Sequence, residues 1–442
     1  MRNLLKSKKF LAILAISICI AAIVPLSVFA ALTPYKMPDV GKAGTISLEG
    51  STTVDPIIVA AAADYNTHMN ATIIPPNDVY PNDSGSGRIA AILKDADVAM
   101  SSSKASTTPG TGVFPNTTNQ SDPSESSLLT PYDIARDGVV IIVNSSVPSD
   151  VTQITLAQLV DIYMGYDTTW SQISGNSADT MAIVPRAREI GSGTRQSLSD
   201  QTKNKGDQAI KTITFMSPTD SDSAPTAGTE NYVITHSGFA RATSNPNMQS
   251  IINDPTATGQ IGYVGLGFET GTHIRDLKVV DSNGTAWSPI GQNIYANNPA
   301  NLGSACYPLA RFLYLYVPNS TVYPTAPANA GDISAFISWM QTTDGVGQGD
   351  AVTAGFLKLV PDQDVKIDNS IDVLDLIAVG NHVGQHGPQI GTDQNGNPIY
   401  QPRWTGTDSK VVRADVHADG VIDVLDLIAV GNWVGTSILP AS

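Results

Sequence analysis

Cysteine is almost absent from this chain: Cys19 and Cys306 are the two in 442 residues. Cys19 lies in an N-terminal apolar run. Once that run is removed a single thiol remains, which excludes an intramolecular disulfide. Histidine is nearly as scarce: His68, His236, His273, His382, His386 and His417. None stands in a local Ser/His/Asp or metal-ligand spacing. Basic residues are few, 25 against 40 acidic ones, giving a net charge of −15. A chain this acidic is a poor candidate for nucleic-acid binding. It remains open to a small anion, because neutral dipoles in a dry cleft hold one whatever the net charge. Catalytic signatures are missing too. There is no Walker lysine, "IGSGTRQ" lacks the third glycine of a dinucleotide fingerprint, and Ser192 has no glycine two residues before it, as a nucleophile elbow requires. These absences point away from an enzyme.

What is present begins with an export signal. Arg2, Lys6, Lys8 and Lys9 precede an apolar run from Phe10 to Phe29, and Val28-Phe29-Ala30 offers a small-residue cleavage site. Residues 1–30 therefore read as a signal peptide, or as a retained anchor, since roughly twenty apolar residues suffice to span a bilayer. An extracellular or cell-surface location follows. Asn-x-Ser/Thr triplets at Asn70, Asn82, Asn116, Asn119, Asn144, Asn283 and Asn319 are glycosylation candidates in such a setting. With 41% hydrophobic residues the chain can build a packed core. After residue 40 it alternates strand and helix patterns. "DGVVIIVNS" suits a strand buried on both faces, "TLAQLVDIYMG" is an amphipathic helix ending at Gly165, and residues 104–127 read as a polar surface loop. Such alternation predicts an α/β fold.

Three turns of serine, threonine and glycine are each predicted to open a helix: Ser51-Thr52-Thr53, Ser84-Gly85-Ser86-Gly87 and Ser192-Gly193-Thr194. A helix start presents unpaired N–H groups and a partial positive charge, glycine lets an anion approach the backbone, and hydroxyls add donors. Capping alone would explain any one of them; three in one domain suggest a shared oxyanion. Arg188 is the charge partner, since a guanidinium grips an oxyanion with two parallel bonds. Arg195, inside the helix, is expected to face solvent.

The stretches "EGSTTVDPI", "SGSGRIAAI", "ADVAMSSS", "IARDGVVIIVN", "LAQLVDIYMG", "REIGSGTR", "IGYVG" and "YPLARFLYLYV" resemble, in this order, the phosphate-binding proteins of ABC transporters. The resemblance covers residues 44–360. It implies a two-lobed, hinged periplasmic-binding-protein-like (type II) domain. One lobe would take about 44–140 and 307–360, and the other about 141–306. It further implies that inorganic phosphate or a similar oxyanion is buried by closure and passed to an ABC permease, with no catalysis. Carried over by motif, the phosphate contacts fall on Ser51, Thr52 and Thr53, on Ser84 or Ser86, on Ser101 and Ser102, and on Arg188, Ser192, Gly193 and Thr194. Ser101-Ser102-Ser103 stands where some members carry an acid that accepts the proton of hydrogen phosphate. Discrimination against sulfate is therefore in question.

Beyond Pro361 lies a duplication. "IDVLDLIAVGN" occurs at Ile371–Asn381 and again, identically, 51 residues on at Ile422–Asn432. Asn395-Gly396 between the copies reads as a hairpin turn. Before the second copy, Asp415, Asp419, Asp423 and Asp426 take positions one, five, nine and twelve of a calcium loop, with Gly420 at six and His417 at three. The first copy offers Asp364, Asp368, Asp372 and Asp375. Asn369 replaces the glycine, and Lys366 at position three weakens that loop. Residues 362–436 resemble a dockerin, a small α-helical double EF-hand-like domain. The resemblance implies bound calcium and a cohesin-like partner at the cell surface. Val373-Leu374 and Val424-Leu425, where dockerins carry hydroxyl residues, point away from a cellulosomal partner. The apolar stripes of the two helices are expected to form mutual core. A surface-assembly or adhesion protein that no longer transports is the alternative reading.

Overall fold

The computed structural model describes residues 40–108, 123–189, 191–209, 211–213, 241–298, 304–343, 345–401 and 409–440. The N-terminal signal segment and the triplets at Asn116 and Asn119 lie outside these residues. Asn144, another triplet, is buried and donates to the carbonyls of Ile252 and Asp254, so it is no glycan acceptor.

The main sheet is built from β1 (Leu48–Ser51), β2 (Val79–Asn82), β3 (Val98–Ser101), β4 (Leu129–Asn144), β5 (Val184–Pro185), β6 (Gln260–Gly265), β7 (Ile274–Asp276) and β8 (Ala310–Pro318). Its order is β2-β1-β3-β8-β4-β6-β5, with β7 also paired to β4. The strands β1, β2 and β3 are mutually parallel, whereas β8 is antiparallel to both β3 and β4. Sixteen residues long, β4 serves two neighbourhoods. Residues 129–138 pair with β8, and 139–143 pair with β6.

The core divides where β4 changes partners. Ile134 and Ala135 belong to one apolar cluster with Ile57, Leu313 and Phe336. Val139 to Val143 belong to another with Leu159, Trp170 and Tyr263. Two lobes therefore meet at residues 136–138 of β4 and at the start of β8. Each fully buried apolar side chain here contributes on the order of 1.5–3 kcal/mol.

Helices pack on both lobes. In the first lobe α1 (Asp55–Met69) carries Pro56 in its first turn and ends at Asn70, whose left-handed backbone (φ 50°) returns its N–H to Asn66 and Thr67. Next, α2 (Ser84–Leu93) is capped by the Asp83 carboxylate. In the second lobe α3 (Leu156–Tyr163) opens with a reciprocal Thr155–Gln158 capping box, followed by α4 (Gly193–Gln201) and α5 (Asn245–Ile252). The chain returns to the first lobe through α6 (Ala330–Gln341) and α7 (Val346–Thr353). Among the described residues no helix is long and apolar enough to cross a membrane.

The duplicated tail forms a third body. Its helices α8 (Val373–Gly380) and α9 (Val424–Gly431) have identical sequences and near-identical caps, Asp372 and Asp423. Val379, Val430, Ile371 and Ile422 share a small core with Tyr295 of the second lobe. The strand Gln389–Thr392 pairs with Pro398–Tyr400 across the Asn395-Gly396 turn. The apolar stripe is only partly core, contrary to expectation. Val373, Leu374, Ile377, Val424, Leu425 and Ile428 are exposed, because an eight-residue helix packed on one neighbour covers only one side.

Two carboxylates meet where α1 and α7 touch. Asp350 is buried beside Asp64, and desolvation followed by that neighbour pushes its pKa up to about 6. The folded state thus keeps this proton above the ordinary value of 3.8. The associated stability is complete below about pH 4 and is lost as pH rises through about 6. Asp350→Asn, which mimics the protonated acid, should raise the melting temperature at pH 7.5. The difference should vanish at pH 4, as read by thermal denaturation at both values.

Candidate functional site

The three turns converge where the lobes face each other. Ser51 ends β1, and Gly50 before it approaches β3 so closely that a Cβ there would lie 2.2 Å from the Met100 carbonyl oxygen. Ser51 to Thr53 form a turn rather than a helix start. Helix α1 begins only at Asp55, with Val54 as an N-cap that lacks a side-chain bond. The Ser51 hydroxyl instead accepts from the Thr53 N–H (3.2 Å) and donates to Ser102 Oγ (3.1 Å). Ser84 Oγ lies 3.4 Å from Ser102 Oγ and accepts from the Ser102 N–H.

The paired serines separate cleanly. Ser84 is fully buried and faces the second lobe, whereas Ser86 turns back to its own cap, bonding Asp83 through N–H and hydroxyl. Strand alternation likewise puts Ser101 on the other side from Ser102. Ser101 accepts from Arg88 (2.7 Å) and donates to the Ser103 carbonyl, so neither Ser86 nor Ser101 lines the cradle.

The second lobe supplies α4, whose N-cap is Ser192. Thr194 Oγ1 lies 3.2 Å from Thr53 Oγ1 across the seam. Gly193 is required by proximity: an added Cβ would lie 2.2 Å from Ser84 Oγ and 2.4 Å from Ser102 Oγ. Arg188 is almost fully buried. Its Nε and Nη2 fork onto Glu189 (2.7 Å each), Nη1 donates to Asn245 Oδ1, and Nη2 reaches Thr52 Oγ1 (3.4 Å). Asn245 closes the circle by donating to Thr53 Oγ1 (2.8 Å). Arg195 is buried rather than solvent-facing, because α4 packs on the core through Leu198 and on the cradle through Thr194 and Ser197.

Sequence reading missed a second guanidinium. Arg311 at the start of β8 forks onto Asp137 of β4 (2.8 and 2.6 Å) and donates to Thr194 Oγ1 (3.1 Å) and the Ser102 carbonyl (3.0 Å). Its signal was a charge inside each of two apolar strand runs. Asn245 carried no local signal, since it sits in a polar helix start. Burial lowers the Arg311 pKa, and Asp137 opposes that shift.

Each arginine thus arrives with its own carboxylate, and neutral hydroxyls and N–H groups fill the remainder. The Asp137 oxygens are already engaged by the N–H groups of Gly138 and Leu266 and by Arg311. An oxyanion seated here would exchange hydroxyl–hydroxyl bonds for charge-assisted ones, which are roughly twice as strong.

In the tail loops, Asp364 accepts from the N–H groups of Asp368 and Asn369, and Asp375 from those of Lys366 and Asp372. Asp415 and Asp426 repeat this pattern with Asp419, Gly420, His417 and Asp423. At position six Asn369 (φ 65°) and Gly420 (φ 88°) are both left-handed. Asp368, Asp419, Lys366 and His417 are exposed, while Asp372 and Asp423 cap their helices. Among the described residues no three acidic, histidine or cysteine side chains stand close enough to hold a metal ion.

Comparison with known proteins gives one family match: the PBP superfamily domain, over residues 39–344. Among curated proteins, Phosphate-binding protein PstS 2 of Streptococcus pneumoniae is 29% identical over 130 residues. That alignment covers 29% of this chain and 38% of the relative. Among solved structures, an ABC-type phosphate transport receptor from Vibrio cholerae is 21% identical, covering 71% of this chain and 99% of that one, with a TM-score of 0.46. PstS from Borrelia burgdorferi is 22% identical, covering 71% and 98%, with a TM-score of 0.41.

Removing Arg311 alone would strand Asp137 in a dry environment. Arg311→Met should lower the unfolding free energy by about 3–5 kcal/mol in a urea titration. Arg311→Met combined with Asp137→Asn should recover a large part of that loss.

Proposed function

The chain belongs to the PBP superfamily across residues 39–344, and from that premise we propose that it captures inorganic phosphate between its lobes. The observation carrying this reading is the cradle itself. Ser51, Thr52, Thr53, Ser84, Ser102, Arg188, Ser192, Gly193 and Thr194 come from both lobes and meet in one buried place. Binding is by closure and hydrogen bonding, with no bond made or broken. The protein acts outside the cytoplasm and hands its ligand to an ABC permease.

Among the described residues the cradle offers donors and hydroxyls but no free carboxylate. Hydrogen phosphate must place its proton on a hydroxyl or carbonyl oxygen, such as that of Ser102. Sulfate is then a serious competitor, held by the same donors.

The tail, residues 362–436, is a dockerin-like module in this reading: the second loop takes Ca²⁺ by drawing its carboxylates together on binding, and the first loop is the weaker site because Lys366 stands at position three. The first loop would use Asp364, Asp368, Asp372 and Asp375, and the second Asp415, Asp419, Asp423 and Asp426. Burial followed by carboxylate neighbours raises the pKa of Asp364 and of Asp415 once their hydrogen bonds are set against it. A hard divalent cation relieves that repulsion with oxygen ligands alone. The exposed pairs Val373-Leu374 and Val424-Leu425 would then face a cohesin-like partner.

Calorimetry on the full chain tests the first claim. Phosphate should bind, and Arg188→Met should weaken it by roughly 100-fold, the loss of two charge-assisted bonds of about 1.5 kcal/mol each. No heat with millimolar phosphate would sink the reading. For the tail, calcium should raise the melting temperature of the wild-type chain, and Asp415→Asn with Asp364→Asn should abolish the rise.

A further inference from the structure

The tail is not an appendage on a flexible tether. Its linker is fixed to the first lobe, where Phe356 lies in the core and the Leu359 N–H donates to Gln348 (2.7 Å). Its far end is fixed to the second lobe. Ala296 and Ile438 form an antiparallel bridge, the Leu439 N–H donates to the Tyr295 carbonyl (2.9 Å), and Trp433 packs against the Tyr295 ring (centroids 5.9 Å apart). The tail therefore runs beside the crossing strands and joins the same two lobes that they join.

Arg136 ties this second connection to the first. It sits on β4 where the core divides, is buried, and exchanges backbone bonds with Leu357 (2.9 and 3.0 Å). Its guanidinium donates to the Leu359 carbonyl (2.8 Å) and to the Leu439 carbonyl, beneath the rings of Tyr295 and Phe312. The next residue, Asp137, holds Arg311 at the cradle. Period-two alternation thus places the tail contact and the cradle contact on opposite faces of adjacent residues. Between them lies a cavity of about 470 Å³, lined by Ser102, Lys104, Gln201, Arg311, Leu439 and Pro440 among others, so Leu439 and Pro440 cover part of the seam between the lobes.

We propose that the C-terminal module is an intramolecular strap across the hinge, and that opening of the lobes requires Ile438–Leu439 to leave the second lobe. Lobe, linker, module and second lobe form a ring closed by β4 and β8. Packed elements deform little, so rotation about residues 136–138 has to release one joint. The tail joint is the one that no continuous strand crosses: it consists of the Ala296–Ile438 bridge, the Leu439–Tyr295 bond, Gln292 to Thr436 (3.1 Å), Tyr295 Oη to the Lys358 carbonyl of the linker (2.7 Å) and the packing of Trp433 on Tyr295. Ligand release is thereby coupled to tail docking. The identity of the ligand rests on the phosphate reading above; the motion does not.

A reversible lock tests the strap in the full chain. Ala296 and Ile438 are opposed as a non-hydrogen-bonded pair, with Cα atoms about 4.5 Å apart, a spacing that accepts a disulfide. Ala296→Cys with Ile438→Cys, on a Cys19→Ser and Cys306→Ser background, is compared oxidised and reduced. Ligand-free small-angle scattering should show a smaller radius of gyration in the oxidised form. Phosphate should dissociate at least tenfold more slowly from it. Trp433→Ala should act in the opposite sense, with dissociation at least fivefold faster. Equal radii and rates within twofold in both redox states would overturn the strap. If the wild-type chain fails to bind phosphate, the capture reading falls, and the scattering comparison alone decides the strap.

Discussion

The Arg311–Asp137 pair is the interaction on which the architecture turns. It joins β8 to β4 at the point where the two apolar cores separate, and its outward donors reach both Thr194 and Ser102. Asp137 is fully buried, so its charge is sustained by the guanidinium and two backbone N–H groups rather than by water. A pair of this kind adds little net stability over an apolar substitute, but breaking one half is costly. It fixes the crossing strands β4 and β8 relative to the hydroxyls of Thr194 and Ser102.

From that pair outward, the cradle is organised as neutralised charge surrounded by dipoles. Arg188 is balanced by Glu189 and positioned by Asn245 and Thr52. Hydroxyls from β1, α2, α4 and Ser102 in the turn after β3 fill the space between. The arrangement is electrostatically compatible with an anion even in a chain of net charge −15. Exposed acidic side chains are screened over a Debye length of about 8–10 Å, whereas the dipoles act at contact distance.

Much of this was legible in sequence. The buried strand at residues 139–143, the capped helix at Leu156 and the duplicated tail helices all follow from periodicity and local capping chemistry. So do the left-handed residues at Asn369 and Gly420, whose loops demand a sharp turn. Less legible were contacts between segments far apart in the chain. Asn245 meets Thr53 across 192 residues, and Arg311 meets Asp137 across 174. No local pattern encodes such a meeting. Ser86 and Ser101 were drawn into the predicted site for the same reason. A motif names a turn, but the direction of each hydroxyl depends on what packs behind it, here Asp83 and Arg88.

The sequence by itself determined the α/β alternation, the donor-rich turns, the arginine before "GSGT" and the repeat at the end, because each rests on residues close along the chain. The tertiary structure alone decided which hydroxyls face inward, that a second arginine stands behind the first, and that the tail contacts both lobes. Those outcomes depend on packing between lobes and on long-range backbone contacts such as Leu439 to Tyr295, where the energy resides in surfaces brought together by the fold.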